Sequence, residues 1–315
     1  MRVSKAWLAV LLAVAACGSS GSPARTSPAR TSAAPARVLV AGPVGLLAVG
    51  NTVWVASSGA GTVVAFDARS GRRGARVAVG ATPLRLAWDG RLVWATVFGA
   101  GRVVAIDPGR ARVVRRVAVS GQPEGIVAAF GAIWVVRQQA RALSRIASDG
   151  RITSTYRVGQ EPRLVAAGAN ALFVSDYRAG TVTRVDPRTG TTRTSARLCP
   201  GAQDMAVSGT TLLVSCTAGD EVLAVDPDSL RVTGRVAVSG EPDGLDVSGD
   251  RLTVVATKGP TVYEIDPKRR AITRRTELGH QLPLGDRAND DVVVSGGTAW
   301  VSSFADGTVV PGPGQ

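Results

Sequence analysis

Chemistry has few places to happen in this chain. Its 315 residues include one histidine and three cysteines, so mechanisms that need several imidazoles or thiolates are excluded. The histidine, His280, stands in "LGHQLPLGDRANDD" (residues 278–291) with Asp286, Asn289, Asp290 and Asp291. Oxygen ligands of this kind suit Ca²⁺ or Mg²⁺ better than zinc. Asp286, Asp290 and Asp291 are therefore the candidate metal ligands, with His280 beside them as a candidate ligand-binding residue. The spacing follows no EF-hand, and a solvated insertion is the alternative reading. The chain has no phosphate-cradling Gly loop of Walker type, no HExxH, no CxxC and no GxSxG. No cofactor beyond such an ion is expected.

What positions these residues is a repeat. Aligned on one strand position, the chain reads Trp54, Trp94, Trp134, Phe173, Leu213, Thr253 and Trp300, at spacings of 40, 40, 39, 40, 40 and 47. The longest interval is the one that contains His280, and a break in a regular array is where repeat proteins often place function. Each unit holds four short alternating runs. In the second they are "LRLAW", "LVWAT", "RVVAID" and "VVRRVAV". "DG" at Asp89-Gly90 predicts a two-residue hairpin between the first two. Asp67, Asp107, Asp186, Asp226 and Asp266 recur at one repeat position, four of them before Pro. That context reads as turn capping, not catalysis.

Seven four-stranded units of about 40 residues predict an all-β fold, a seven-bladed β-propeller over residues 37–315. The recurrent aromatic on the second strand reads as packing between blades. The seventh unit supplies only three strands and ends in "GTVVPGPGQ". The text missing from it stands near the N-terminus, where "ARVLVAGP" repeats the outer-strand text of the first unit, "ARVAVGATP". The N-terminal segment is thus expected to supply the outer strand of the last blade and seal the ring.

In such a ring the loops entering the innermost strands share one face with the loops leaving the second strands. Their last residues rim the central channel. Two consecutive positions there read Val44, Leu84, Glu124, Arg163, Gln203, Asp243, Asp290 and Gly45, Arg85, Gly125, Leu164, Asp204, Gly244, Asp291. Candidate ligand-binding residues are Arg85, Glu124, Arg163, Asp204, Asp243, Asp290 and Asp291. Plain solvation of loop ends is the competing reading.

The N-terminus points to location. Arg2 and Lys5 precede an apolar run from Ala6 to Ala16, too short to span a bilayer and of signal-peptide length. "VAAC" then ends on Cys17 and resembles the bacterial lipobox, which implies a signal over 1–16 and lipidation of Cys17. Residues 18–36, "GSSGSPARTSPARTSAAPA", are too polar and Pro-punctuated to offset ordering entropy and read as a disordered tether. The expected location is the extracytoplasmic face of the cell membrane, held by a lipid anchor. Oxidation is permitted there, and Cys199 and Cys216, at strand ends on one face, are predicted to pair. The net charge of +13 is scattered along the repeats without a basic run or interleaved aromatics. A solvated surface is expected, not a nucleic-acid partner.

The text "VVAIDPGRARVVRRVAVSGQPEGIVAAFGAIWVV" (residues 103–136) resembles the YVTN/NHL-type propeller repeats of bacterial surface proteins. Their naming tetrapeptide is altered here to "WVAS", "WATV", "WVVR" and "FVSD". The resemblance implies the fold and a binding or scaffold role. Virginiamycin B lyases are similar propellers with a channel-mouth His and acidic residues that use a divalent metal. No motif residue matches theirs one for one, so no catalytic residue is carried over. The sequence supports an anchored module that binds a protein, peptide or polar ligand, with a metal-assisted lyase or hydrolase as the alternative.

Overall fold

The computed structural model describes residues 37–259, 261–278 and 290–314. They form seven four-stranded antiparallel sheets, a seven-bladed β-propeller. Blades 1 to 6 run from an inner strand a to an outer strand d in chain order. Blade 1 is Pro43–Val49, Thr52–Ser57, Thr62–Asp67 and Arg73–Ala78; blade 2 is Pro83–Trp88, Val93–Val97, Arg102–Asp107 and Arg112–Ala118. Neighbouring inner strands touch all the way round, with Val292–Ser295 of blade 7 against Pro43–Val49 of blade 1. Among the described residues, no helix is long and apolar enough to cross a membrane.

Blade 7 is completed from the other end of the chain, as the repeated text requires. Val38 pairs with Val309 and Leu39 with Thr308, and the Val40 N–H donates to the Gly307 carbonyl at 2.8 Å. Val38, Val40 and Val309 are buried with Phe66 and Trp300 in the cluster between blades 7 and 1. The join is therefore both a hydrogen-bonded ladder and a piece of core.

The repeat-marking position is buried in every blade: Trp54, Trp94, Trp134, Phe173, Leu213, Thr253 and Trp300. Trp134 packs on Leu172, Val174 and Val185 of the following blade, and Phe173 on Met205, Leu212 and Val214. Flat side chains here fill the gap between twisted sheets and supply most of the apolar burial that holds consecutive blades together. In the outer strand Arg112–Ala118 exposed positions alternate with half-buried or buried ones; Arg112 and Arg116 are on the wet face and Arg115 is half-buried.

The recurrent turn carboxylates act as caps. Asp67 accepts from the Arg69 and Ser70 amides and the Ser70 hydroxyl. Asp186 accepts from the Arg188 and Thr189 amides, and Asp266 from those of Lys268 and Arg269. Hydrogen bonds to the ionised form lower the pKa of each of these three. Two local expectations change. Asp89-Gly90 lies in a four-residue connection, because the last ladder pair is Trp88 with Val93. Asp89 closes it by accepting from the Arg91 and Leu92 amides. The outer strand of blade 4 is only Thr192–Thr194. There the Ser195 hydroxyl takes the Val182 N–H and ends the ladder.

Candidate functional site

The site begins with a bulge. In blades 1 to 6 the a–b ladder skips two residues after the first paired position of strand a, as between Pro43 and Leu46 or Pro123 and Ile126. Blade 7 starts its strand after the equivalent pair. The two skipped residues are those the sequence places on the rim. Called the first and second rim positions, they are free of the ladder.

Two devices dock each blade on the next at this level. In blades 2, 5 and 7 a hydroxyl from strand b bridges the joint. Thr96 Oγ1 accepts from the Arg85 N–H and donates to the Glu124 carbonyl at 2.8 Å. Ser215 joins Asp204 to Asp243, and Ser302 joins Asp291 to Val44, in the same way. Blade 4 has the first half, Ser175 Oγ accepting from the Leu164 N–H. In blades 1, 3 and 6 the second rim residue is glycine, and the next backbone packs directly on it. A Cβ on Gly125 would meet the Arg163 carbonyl at 2.7 Å, and one on Gly244 the Asp291 Cα at 2.8 Å.

These joints force charged side chains into the channel mouth. The competing reading, solvated loop ends, does not hold there. Arg85 is 8% exposed, Glu124 5%, Gln203 3%, Asp243 2%, Asp290 0% and Asp291 8%. Asp204 is half-buried and Arg163 keeps about a quarter of its side chain in solvent (24%). Arg85 pairs with Asp291 at 3.1 Å and Arg163 with Glu124 at 3.3 Å. The Arg163 guanidinium also lies over the Tyr177 ring, 5.7 Å from its centre.

Backbone amides fix the acids. Asp291 Oδ2 accepts from Leu46 N–H across the blade 7–1 joint, and Asp204 Oδ2 from Leu245 N–H across the 5–6 joint. Asp204 Oδ1 and Asp291 Oδ1 take the amides of the residues that follow them. Asp243 Oδ2 accepts from the Asp290 N–H, and Gln203 donates its side-chain amide to Asp243. What remains is unusual for an interior. Glu124 Oε2, Gln203 Oε1 and Arg85 Nε are buried without a hydrogen-bond partner among the described residues, the two Asp290 oxygens have only the Phe304 amide near them, and Arg163 Nε has only its ion pair with Glu124 Oε1.

Electrostatics follow from burial. Loss of solvation, with Asp291 adding repulsion, pushes Asp204 up to about 7, against Arg85 and its two amide donors. Asp243 is pushed up to about 6, again by burial first, with Arg85 and Gln203 opposing. Asp290 rises well above the ordinary range through burial and then Asp243 and Asp306. Burial also raises Glu124, opposed by Arg163 and Arg85, and Asp291, opposed by Arg85 and the Leu46 amide. For Arg85 burial works against the charge, but Asp291, Asp204, Asp243 and Glu124 outweigh it and hold the guanidinium ionised.

The structure thus brings together Arg85, Glu124, Arg163, Asp204, Asp243, Asp290 and Asp291. Cys17, His280 and Asp286 lie outside the described residues. Among the described residues, no group of three His, Cys, Asp or Glu side chains is arranged to hold a metal ion. Asp291 in particular is taken up by Arg85 and two amides. Cys199 and Cys216 are joined as a disulfide, Cα atoms 5.9 Å apart, pinning the entry to blade 5 to the end of that blade's second strand. Sequence reasoning missed Gln203 as a site residue. It also missed the strand-b hydroxyls, although they recur eleven residues after the second rim position.

Fold and site together define a seven-bladed β-propeller with a charged, largely buried channel mouth. The family model described as outer membrane protein assembly factor BamB matches residues 178–310, less than half of the chain. No curated protein matches. Solved structures match across nearly the whole ring. Virginiamycin B lyase from Staphylococcus aureus is 16% identical, covers 87% of this chain and 97% of its own, and superposes with a TM-score of 0.74. An inactive variant of that lyase with quinupristin gives 16%, 87%, 96% and 0.75. Hydrazine synthase from Kuenenia stuttgartiensis gives 16%, 90%, 98% and 0.72. The chain resembles virginiamycin B lyase-like propellers, and at these identities the likeness is one of fold.

Proposed function

We propose that this protein is a membrane-anchored extracytoplasmic binding module whose channel mouth takes a polar ligand, either a small molecule or the polar groups of a peptide or protein. One observation carries the reading: a ring of buried polar side chains at the mouth, in which Glu124 Oε2, Gln203 Oε1 and Arg85 Nε have no hydrogen-bond partner among the described residues and Asp290 is short of donors. Desolvated donors and acceptors without partners are costly, about 1–3 kcal/mol each. A fold retains them where a ligand completes the bonds. The Cys199–Cys216 disulfide fits an oxidising compartment, and the lipobox-like text before Cys17 fits a lipid anchor.

The test uses the full-length protein in detergent. Native mass spectrometry and thermal shift against a panel of polar metabolites and short peptides compare wild type with Glu124→Gln/Arg163→Gln/Asp243→Asn. Retained or stabilising ligands are expected for wild type and lost in the variant. Equal behaviour of the two proteins refutes a site at the mouth. Turnover that depends on added Ca²⁺ or Mg²⁺ and on His280 would favour a metal-assisted lyase instead. Cys17→Ala is expected to move the protein out of the membrane pellet.

A further inference from the structure

Five carboxylates and two guanidiniums meet at the mouth, and two of the pairings cancel: Arg85 with Asp291, and Arg163 with Glu124. Asp204, Asp243 and Asp290 are left without an ion-pair partner among the described residues. They belong to three consecutive blades, the fifth to the seventh. Carboxyls without a paired cation of their own therefore collect in one arc of the ring.

Hydrogen bonding is unbalanced in the same sense. Four buried acceptor atoms are short of donors: Glu124 Oε2, Gln203 Oε1 and the two Asp290 oxygens, which have only the Phe304 amide near them. Three of the four lie in the arc. Of the guanidinium donors, Arg85 Nε in blade 2 is unpartnered and Arg163 Nε in blade 4 has only its ion pair with Glu124. Asp290 is fully buried, and its own N–H is spent on Asp243. The arc thus offers carboxyls and a carboxamide oxygen to whatever enters, and an arriving cation would favour the ionised form that burial disfavours.

The complement must bring positive charge and N–H groups together. A bare divalent ion needs several carboxylate oxygens converging on one point. Here both Asp204 oxygens and Asp243 Oδ2 are turned to backbone amides, and no metal-holding group of three forms among the described residues. We propose that the arc of blades 5 to 7 binds the ammonium or guanidinium group of an organic cation, with Asp290 and Gln203 as acceptors and Asp204 and Asp243 as the neighbouring carboxyls. This rests on the binding reading above and narrows its ligand to cations.

Titration calorimetry on the full-length protein in detergent tests it with four probes of similar length. They are 1,5-diaminopentane and agmatine as cations, 1,5-pentanediol as the neutral isostere and glutarate as the anion; CaCl₂ and MgCl₂ are run separately. The cations are expected to bind, the diol and glutarate are not, and Asp290→Asn is expected to weaken cation binding at least tenfold. Gln203→Leu, which leaves every carboxylate in place, is expected to weaken it several-fold. Binding of the diol or glutarate at least as tight as that of the cations would overturn the cation inference and leave the binding reading standing. Cation binding unchanged in both variants places it elsewhere and overturns the assignment. Metal binding that depends on Asp290 overturns it in favour of an ion site. Failure of every probe, together with failure of the polar panel above, removes both readings.

Discussion

Asp243→Asn is expected to stabilise this protein in neutral and alkaline solution. Asp243 is 2% exposed, and burial raises its pKa from 3.8 to about 6 even with Arg85 and Gln203 opposing. Because the folded-state value lies above the unfolded one, the native state takes up this proton first as the pH falls. The carboxyl therefore weighs fully against folding above pH 6, and the burden fades between pH 6 and pH 4. A rise of about 2 pK units corresponds to roughly 3 kcal/mol at pH 8 and about half that at pH 5. Asparagine keeps an acceptor for the Asp290 N–H, which Asp243 Oδ2 now holds at 3.0 Å. It also brings an N–H next to acceptors short of donors, Gln203 Oε1 and the Asp290 oxygens. Thermal melts of wild type and variant at pH 8, 6, 5 and 4 read the effect. At about 2–4 °C per kcal/mol, the variant should melt roughly 6–12 °C higher at pH 8 and lose most of the gain by pH 4. The capping carboxylates Asp67, Asp107, Asp186, Asp226 and Asp266 are shifted the other way, below the ordinary value, so their contribution is lost at lower pH and leaves this window clear. A variant that melts lower at pH 8, or a difference that does not change with pH, would show that Arg85 makes the buried charge a net stabiliser and would refute the reasoning.

Two further outcomes follow from the joints. Removing the disulfide with Cys216→Ser should cost about 3 kcal/mol, the loop-entropy value for a 17-residue separation, and reductant should lower the wild-type melt by a similar amount while leaving the variant unchanged. Gly125→Ala puts a Cβ 2.7 Å from the Arg163 carbonyl and the Leu164 Cα, both backbone, and should cost about 1–3 kcal/mol as overpacking. Gly74→Ala is the matching control, since Gly74 like Gly125 is not left-handed and its Cβ would make only an ordinary contact, 3.5 Å from the Ala65 carbonyl.

Much of the architecture could be read from the chain because it is written seven times. One strand position marks every blade by its buried side chain, so the spacing of Trp54, Trp94, Trp134 and their equivalents counts the blades directly. Closure was legible for the same reason: the text around Val38 copies an outer strand, and outer strands have one place to go. Location within a blade survives local error. The mistaken two-residue hairpin at Asp89-Gly90 and the early end of the strand at Thr194 change neither blade count nor order. Side-chain burial at the rim was less accessible. Loop ends are usually wet, and only the ladder shows that a bulge turns these two residues inward.

A sequence signal for the site does exist, and it lies in a pair of positions. Eleven residues after the second rim position, the chain has Thr96, Ser175, Ser215 and Ser302 where that position is Arg85, Leu164, Asp204 and Asp291. It has Ala56, Val136 and Val255 where that position is Gly45, Gly125 and Gly244. Ser175 apart, which only accepts the Leu164 N–H, both solutions meet one requirement, that the next blade's first rim carbonyl be docked. A hydroxyl can donate to that carbonyl while accepting the amide of a bulkier residue, as Thr96 does between Arg85 and Glu124. A glycine instead lets the next backbone come into contact, as at Gly244 against Asp290 and Asp291. The choice in each blade decides whether a side chain can enter the mouth at this level at all. Three of the four hydroxyl blades use it to admit a charge, Arg85, Asp204 or Asp291, and the three glycine blades leave space beside it. The ring is repetitive in its ladders and asymmetric in this one choice, which sets Asp204 and Asp291 on blades 5 and 7 beside Asp243 and Asp290 of the first rim position.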